Sequence, residues 1–318
     1  MKEDSIAVAY PGLPVVFAEG YKVASGRRVS LHGHASFALT DLSESVRTVT
    51  KVEKTGSGVE FILNGRGLEG SRSEGMGNIV GEMLSKAGAG LGVRVESENY
   101  GIATGSSDSG AAALAVALSD LLELGLSEGE LCEVGRLGSE TAYRSILGGL
   151  SGYDVSGEAV SVSKIKTAAE LSEIIAFGVS FNVPRHTADE LHQKVLGHLE
   201  YSKRAAVADE RISEIKAFAD NGNFTGLLDV MESDARDVHR MFDEVGLNVI
   251  KPPMRKLCSA VESIRRRGIK CYWNVAGGSQ VYVFTVTRYA EAVEGELDEL
   301  GYRPTRMKVA GPAAVIQY

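Results

Sequence analysis

The sequence predicts an α+β fold of two lobes sharing a cleft, and three observations carry that prediction. The first third alternates short β-rich runs with Gly, Ser and Asp. The second half reads as long helical patterns with short glycine- or proline-containing breaks. Between them, a dense small-residue segment over 100–115 runs from a strand straight into a helix. The lobes are expected at 1–180 and 181–318.

Taken in order, Ile6 to Tyr10, Val29 to Leu39, Val46 to Val52 and Gly58 to Leu63 are the β-rich runs. Gly75 to Lys86 has a helical pattern, and Val93 to Ser97 alternates apolar and polar residues like a half-buried strand. Leu114 to Leu122 is strongly helical, and a further helix over 127–146 ends at Gly148-Gly149. Ile174 to Val183 is an apolar strand. Helices follow over 188–218, 223–244 and 254–267. Two strands flank the turn Ala276-Gly277-Gly278-Ser279, and a helix over 289–300 precedes a final strand pair.

Composition bounds the partners. The 318 residues hold 34 basic and 42 acidic side chains, a formal charge of −8, with 44% hydrophobic and 24% charged residues. That is ordinary for a soluble globular chain. An acidic balance argues against nucleic acid or an anionic membrane, since both need a basic face. No run approaches the ~18 apolar residues of a membrane helix. The charged start, followed by Pro11, Gly12 and Pro14, does not read as a secretory signal. Cys132, Cys258 and Cys271 are odd in number and far apart, which suits a reducing cytoplasm and suggests neither a disulfide framework nor a zinc site. A soluble, cytoplasmic protein is expected.

Glycine is the compositional outlier, with 37 residues. Residues 104–112, Thr-Gly-Ser-Ser-Asp-Ser-Gly-Ala-Ala, follow a strand and open a helix. A helix N-terminus presents free N–H groups and the positive end of its dipole, and so attracts phosphate. Gly105 and Gly110 allow close backbone approach, while Ser106, Ser107 and Ser109 offer hydroxyls to phosphate or to Mg²⁺. No Lys stands where a Walker loop places one. Taken alone, the segment also describes a serine-rich helix cap. Gly88-Ala89-Gly90-Leu91-Gly92 is a decoy: the third glycine of a dinucleotide fingerprint would fall on Val93, and the segment precedes a strand, so it reads as a turn. Gly105, Gly110, Gly148-Gly149 and Gly277-Gly278 are expected to shape one cleft.

The 104–112 loop resembles the second motif of the GHMP small-molecule kinases. Leu137-Gly138-Ser139-Glu140-Thr141-Ala142-Tyr143-Arg144-Ser145, followed by Gly148-Gly149, resembles the Ser-Ala-Cys-Arg-Ser…Gly-Gly signature of the diphosphomevalonate decarboxylase-like branch. Ala276-Gly277-Gly278-Ser279-Gln280-Val281 sits where that branch carries Asp-Ala-Gly-Pro-Asn-Val. The resemblance spans almost the whole chain, from Ala9-Tyr10-Pro11 onward, and implies the two-lobed GHMP kinase fold with ATP and substrate in the inter-lobe cleft. It also implies that Gly105, Ser106, Ser107, Asp108, Ser109 and Gly110 hold the ATP phosphates and that Ser107 binds Mg²⁺.

Two departures redirect the chemistry. The decarboxylases phosphorylate the tertiary 3-hydroxyl of a 5-diphosphorylated mevalonate, then release phosphate and CO₂. Their essential Asp falls on Ala276 and their N-terminal Lys near Phe17, both apolar here. Phosphoryl transfer survives this loss, because positioning and electrostatics carry most of its catalysis. The surviving pattern resembles the archaeal mevalonate 3-kinases, which phosphorylate the 3-hydroxyl of (R)-mevalonate and stop there.

Glu140 stands where the decarboxylase signature has glycine. A carboxylate there repels a diphosphate and can accept a hydrogen bond from a free 5-hydroxyl. Arg144 matches the family arginine and suits bidentate binding of the substrate carboxylate, from one helical turn beyond Glu140. Without the signature, the pair reads equally as a surface i,i+4 contact. Arg185 resembles a second substrate-pocket arginine that orients Glu140 or substrate, and Thr104 lies at the cleft end of the loop. Arg144 and Ser107 are the expected catalytic residues. All six histidines, His32, His34, His186, His192, His198 and His239, are expected to be structural or solvent-facing.

The expected function is thus ATP- and Mg²⁺-dependent 3-phosphorylation of mevalonate in isoprenoid biosynthesis. Small molecules are the expected partners, and a homodimer is allowed. Two alternatives stay open: a lyase acting on mevalonate 3,5-bisphosphate or phosphomevalonate, and a non-catalytic ligand-binding relative.

Overall fold

The structure, a computed structural model, describes residues 2–24, 27–156 and 159–317. It opens with β1 (Asp4–Ala9), β2 (Gly12–Val16), the hairpin β3 (Tyr21–Ala24) and β4 (Arg27–Ser30), β5 (His34–Asp41) and β6 (Arg47–Thr55). Strands β7 (Val59–Leu63) and β8 (Arg66–Gly67) precede α1 (Ser71–Ala87) and β9 (Gly92–Tyr100). Helices α2 (Ser106–Leu121), α3 (Glu128–Gly135) and α4 (Tyr143–Leu147) lead into β10 (Leu150–Ser156), β11 (Ala159–Lys166) and β12 (Ile174–Ser180). Then come helices α5 (Ala188–Val195), α6 (Arg204–Asp220), α7 (Phe224–Glu244) and α8 (Pro252–Arg266). The chain closes with β13 (Cys271–Asn274), β14 (Gln280–Val286), α9 (Thr287–Glu299), β15 (Thr305–Val309) and β16 (Ala314–Val315). Among the described residues, no helix is long and apolar enough to cross a membrane.

Six strands in the order β16-β1-β6-β9-β7-β8 form the first sheet. Helix α2 lies between that sheet and α1, α3 and α4. Its run Ala111-Ala112-Ala113-Leu114-Ala115-Val116-Ala117-Leu118 is buried all round. A helix without a polar face is a core helix, and small side chains let its neighbours approach from every side.

The second sheet runs β11-β10-β5-β15-β12-β14-β13, with β2 also paired to β5. Successive side chains of a strand face opposite sides, and here both sides are covered. On β12, Ile175, Phe177 and Val179 pack with α8 and α9, whereas Ile174 and Ala176 pack with α6 and the start of α7. Double burial explains why Ile174–Ser180 and Gln280–Val286 read as near-continuous apolar runs. The sheet joins both halves of the chain: β5 pairs with β15 through Leu39↔Val309 and Asp41↔Met307. Residue 180, the expected lobe boundary, is the last residue of β12, within this sheet.

Several expected elements are broken, each for a local reason. The run 29–39 is two strands, β4 and β5, separated by a bend over Leu31-His32 that brings Gly33 against α6, where an added Cβ would lie 2.8 Å from Ile212 Cδ1. The helix expected over 127–146 is α3 and α4 separated by a turn over 136–142. Gly135 ends α3 and Gly138 sits in the turn, where a Cβ would come 2.6 Å from Ile79 Cδ1, so close packing and poor helix propensity act together. Glu140 therefore lies in a turn, not on a continuous helix with Arg144. The helix expected over 188–218 stops at Val195 and resumes at Arg204 after a 3₁₀ turn, Tyr201–Lys203. Gly148 and Gly149, expected at the cleft, have φ of +64° and +61° and serve a backbone crossing instead. Added Cβ atoms there would lie 2.3 Å from the Gly311 carbonyl carbon and 2.1 Å from the Lys166 oxygen.

A buried ionic knot fixes the segment after β2. Asp234 of α7 receives Arg204 Nη1 at 2.7 Å and Nη2 at 2.9 Å, Arg211 Nη1 at 2.7 Å, and the Phe17 N–H at 2.8 Å. Burial alone would raise the Asp234 carboxyl, but the two guanidiniums outweigh it and hold it below the ordinary range. Removing one partner of such a set leaves buried charge uncompensated. Asp234→Ala is expected to lower unfolding free energy by about 3–5 kcal/mol, read from denaturant midpoints at constant m-value.

Candidate active site

A cleft of about 1130 Å³ is walled by the α2 loop, the 136–142 turn, the segment after β2, α5 and the 276–278 turn. At the α2 end, Gly105 takes a φ of +77°, and an added Cβ would lie 2.7 Å from the Gly12 carbonyl oxygen, a position only glycine fills without strain. The first i→i−4 bond there is Ser109 N–H to Gly105 O at 3.2 Å. The amides of Ser106, Ser107 and Asp108 precede it and have no helical carbonyl to meet. Ser107 is exposed and lines the cleft, as do Thr104 and Ser106.

The other loop side chains turn inward. Ser109 is fully buried, its hydroxyl 2.7 Å from Thr48 Oγ1 and 3.2 Å from Gly105 O, which leaves no hydroxyl for phosphate. Asp108 is buried, and its Oδ1 accepts 2.7 Å hydrogen bonds from Ser139 and Thr141. Its Oδ2 lies 3.5 Å from Arg144 Nε. Gly110 sits in the second turn of α2, beside Met76. On the cleft side of the loop stand Gly105, Ser106, Ser107 and Asp108, while Ser109 and Gly110 lie off it.

Arg144, on α4, reaches back across β2. A Cβ on Gly12 would lie 1.9 Å from Arg144 Cδ, so the aliphatic stem of the arginine passes directly over that glycine. The side chain is 9% exposed, and its Nε has no hydrogen-bond partner. One neighbouring carboxylate at 3.5 Å leaves this five-donor fork with unused capacity for an anion. Glu140 faces the same cleft, with Oε1 3.7 Å from His192 Nε2. His192 Nδ1 accepts from the Gly20 N–H at 3.1 Å, so the neutral ring carries its proton on Nε2, toward Glu140. Burial pulls the His192 pKa below its usual value, partly opposed by Glu140. His192 therefore lines the cleft while its Nδ1 holds the Gly20 backbone.

Arg185 lies at the rim, where its Nη1 donates to the Ala103 carbonyl at 2.9 Å and so braces the approach to Thr104. Its hydrogen bond goes to that backbone, not to Glu140. Gly278 packs against the same segment, since an added Cβ would lie 3.2 Å from Ala103 O and 3.4 Å from Thr104 Cβ. Phe17 and Ala276 are both buried cleft-wall residues, so the wall is apolar at these two positions. His34 is structural: its Nδ1 lies 2.9 Å from Tyr143 Oη, and its ring stacks on Tyr153.

One cleft residue has no sequence signature. Glu19 is 5% exposed, and burial pushes its carboxyl up to about 8, opposed by Arg204 and reinforced by Asp234. The only hint in the sequence is an acid closing the apolar run Pro14-Val15-Val16-Phe17-Ala18. Among the described residues, no group of three or more His, Cys, Asp or Glu is placed to hold a metal ion.

A family model of the diphosphomevalonate decarboxylase-like N-terminal domain matches residues 24–163, and one of the mevalonate-3-kinase C-terminal domain matches 186–291. The chain is 26% identical to the mevalonate-3-kinase of Picrophilus torridus over 97% of its own length and 96% of the relative's. It is 29% identical to the mevalonate 3-kinase of Thermoplasma acidophilum, over 96% of each. The crystal structure of the Thermoplasma enzyme bound to mevalonate 3-phosphate and ADP superposes with a TM-score of 0.89 at 27% identity, covering 100% of this chain and 99% of that one. Mevalonate diphosphate decarboxylase from Staphylococcus aureus shares the fold, with a TM-score of 0.88 at 20% identity, over 100% of this chain and 99% of that one. With the loop, the signature turn and the two-sheet architecture in agreement with both family models, the chain belongs to the diphosphomevalonate decarboxylase-like branch of the GHMP kinase superfamily.

Proposed function

We propose that this chain is a small-molecule kinase that transfers phosphate from ATP to the 3-hydroxyl of (R)-mevalonate, giving mevalonate 3-phosphate for isoprenoid biosynthesis. The observation that carries the reading is one wall of the cleft. Arg144 and Glu140 stand beside the α2 loop, while Phe17 and Ala276 are apolar where decarboxylases place charged groups. The two relatives named mevalonate 3-kinase, matched nearly end to end, support the same chemistry.

In this reading Arg144 binds the substrate carboxylate through its unused donors, with Asp108 holding the guanidinium in place. Glu140, steadied by the His192 Nε2 proton, accepts the 5-hydroxyl and repels an acceptor phosphorylated there. The amides of Ser106 and Ser107 receive phosphate oxygens at the positive end of α2, and the Ser107 hydroxyl is a ligand for Mg²⁺. Bound MgATP supplies the transferable phosphoryl group and the divalent charge that neutralises it. Phe17 and Ala276 place no charged group on the reacting face, which fits a reaction that ends at transfer, and the proton of the 3-hydroxyl leaves to the transferred phosphoryl group or to solvent. The work divides near residue 180: residues 1–180 supply the phosphate loop, Glu140 and Arg144, and residues 181–318 supply Arg185, His192 and the 276–278 wall. Three buried free thiols, Cys132, Cys258 and Cys271, fit a reducing cytoplasm.

Incubation with (R)-mevalonate and ATP, with the product identified by ³¹P and ¹H NMR, is expected to give the 3-phosphate. A 5-phosphate or isoprenol as the main product would exclude the reading. Glu140→Gly is expected to lower kcat/KM for mevalonate about 10–100-fold while moving the KM for ATP less than about threefold; equal losses in both would remove Glu140 from the substrate. Gly105→Ala forces a Cβ against the Gly12 backbone and should raise the KM for ATP about tenfold or more, measured at saturating mevalonate.

A further inference from the structure

A second acidic group faces the acceptor pocket from the segment after β2. Glu19 lines the same cleft as Arg144, Glu140 and His192 and is almost wholly buried. Its Oε2 has no hydrogen-bond partner, and the nearest cation is Arg204 Nε at 3.7 Å. Arg204 gives both Nη atoms to Asp234 and one also to the Phe17 carbonyl at 3.1 Å, while its Nε, the atom nearest Glu19, makes no hydrogen bond.

The other groups around Glu19 offset its burial only in part. From the 3₁₀ turn, Tyr201 Oη donates to the Glu19 main-chain carbonyl at 2.6 Å, not to its carboxyl. From the loop before β5 comes His32, which burial keeps neutral with a pKa lowered to about 4. From α5, His192 spends its Nδ1 on the Gly20 N–H. From α7, Asp234 adds negative charge. From α4, Arg144 contributes a favourable field but no hydrogen bond. An ionised carboxylate in such surroundings is poorly solvated, whereas a carboxyl that keeps its proton is a donor in search of an acceptor.

We propose that Glu19 is a specificity-determining residue of the acceptor pocket, donating a hydrogen bond from its carboxyl group to the acid group of the substrate that Arg144 holds. The proposal rests on the kinase reading above. It makes the pocket recognise a monoanion with one cation and one neutral acid. Loss of the Glu19 proton then sets anion against anion, and acceptor binding weakens while nucleotide binding does not.

The test is KM for mevalonate and for ATP across about pH 6.5–9.5, for the wild type, Glu19→Gln and Glu19→Leu, with the product identified in every assay. In the wild type, KM for mevalonate should climb about tenfold per pH unit above about 8, with KM for ATP level. Glu19→Leu should raise KM for mevalonate about tenfold at neutral pH and abolish the alkaline rise. Glu19→Gln, which keeps a donor and cannot ionise, should bind mevalonate more tightly than Glu19→Leu and also lack the rise. An alkaline rise that persists in both variants, or an equal rise in KM for ATP, overturns the proposal while leaving the kinase intact. A wild-type protein that phosphorylates no mevalonate at any pH overturns the kinase reading and this one with it.

Discussion

The carboxylate of Asp108 is the point on which the cleft is assembled. It sits in the first turn of α2, accepts hydroxyl protons from Ser139 and Thr141 in the turn after α3, and faces Arg144 on α4. Three chain segments are thereby fixed to one buried acid. Arg144 in turn lies over Gly12, which also contacts Gly105, so the phosphate loop, the signature turn and β2 share one contact surface. The dielectric is low at such a site, so these charge-assisted contacts are strong when complete and costly when one is lost. What is presented to solvent is the remainder: unused donors of Arg144, free amides at the start of α2, and the carboxylate of Glu140.

Beside those charged groups, the cleft wall is apolar at Phe17 and Ala276. Phe17 is fixed by its own backbone, which donates to Asp234 and accepts from Arg204. Its ring meets His239 edge-on, which packs it from behind. The knot of Asp234, Arg204 and Arg211 therefore holds up a hydrophobic surface and positions Glu19 two residues later, so one buried ionic cluster serves both the apolar wall and the acid beside it.

Much of this was legible from local sequence. The phosphate loop could be read because its signal is contiguous: glycine where φ must be positive, serines at the helix start, alanines where neighbours crowd. Glu140 and Arg144 were legible because they share a signature with their neighbours. Burial on both faces made β12 and β14 visible as unbroken apolar runs. The helix expected over 127–146 went astray because its periodicity persists through Gly135 and Gly138, whose tight contacts with Ile146 and Ile79 belong to tertiary packing. His192 and Glu19 were missed for a related reason. Each is ordinary in its own stretch of chain, and its meaning comes from partners more than 50 residues away: Glu140 for one, and Arg204 and Asp234 for the other.

The pairing of β5 with β15 bears on how the enzyme can move. Two-lobed proteins commonly admit ligands by swinging rigid halves about a linker. Here the strands that would have to part are hydrogen-bonded in one sheet, and the chain crosses residue 180 inside it. Opening the cleft by hinge would break a ladder. At the rim, the β3–β4 hairpin is held to α5 by Arg28 and Asp189, a half-exposed ion pair 2.5 Å apart. An exposed pair of this kind is weak and salt-screened, in contrast to the buried contacts beneath it. The buried contacts thus lie beneath the reactants, and a salt-sensitive one lies at the entrance.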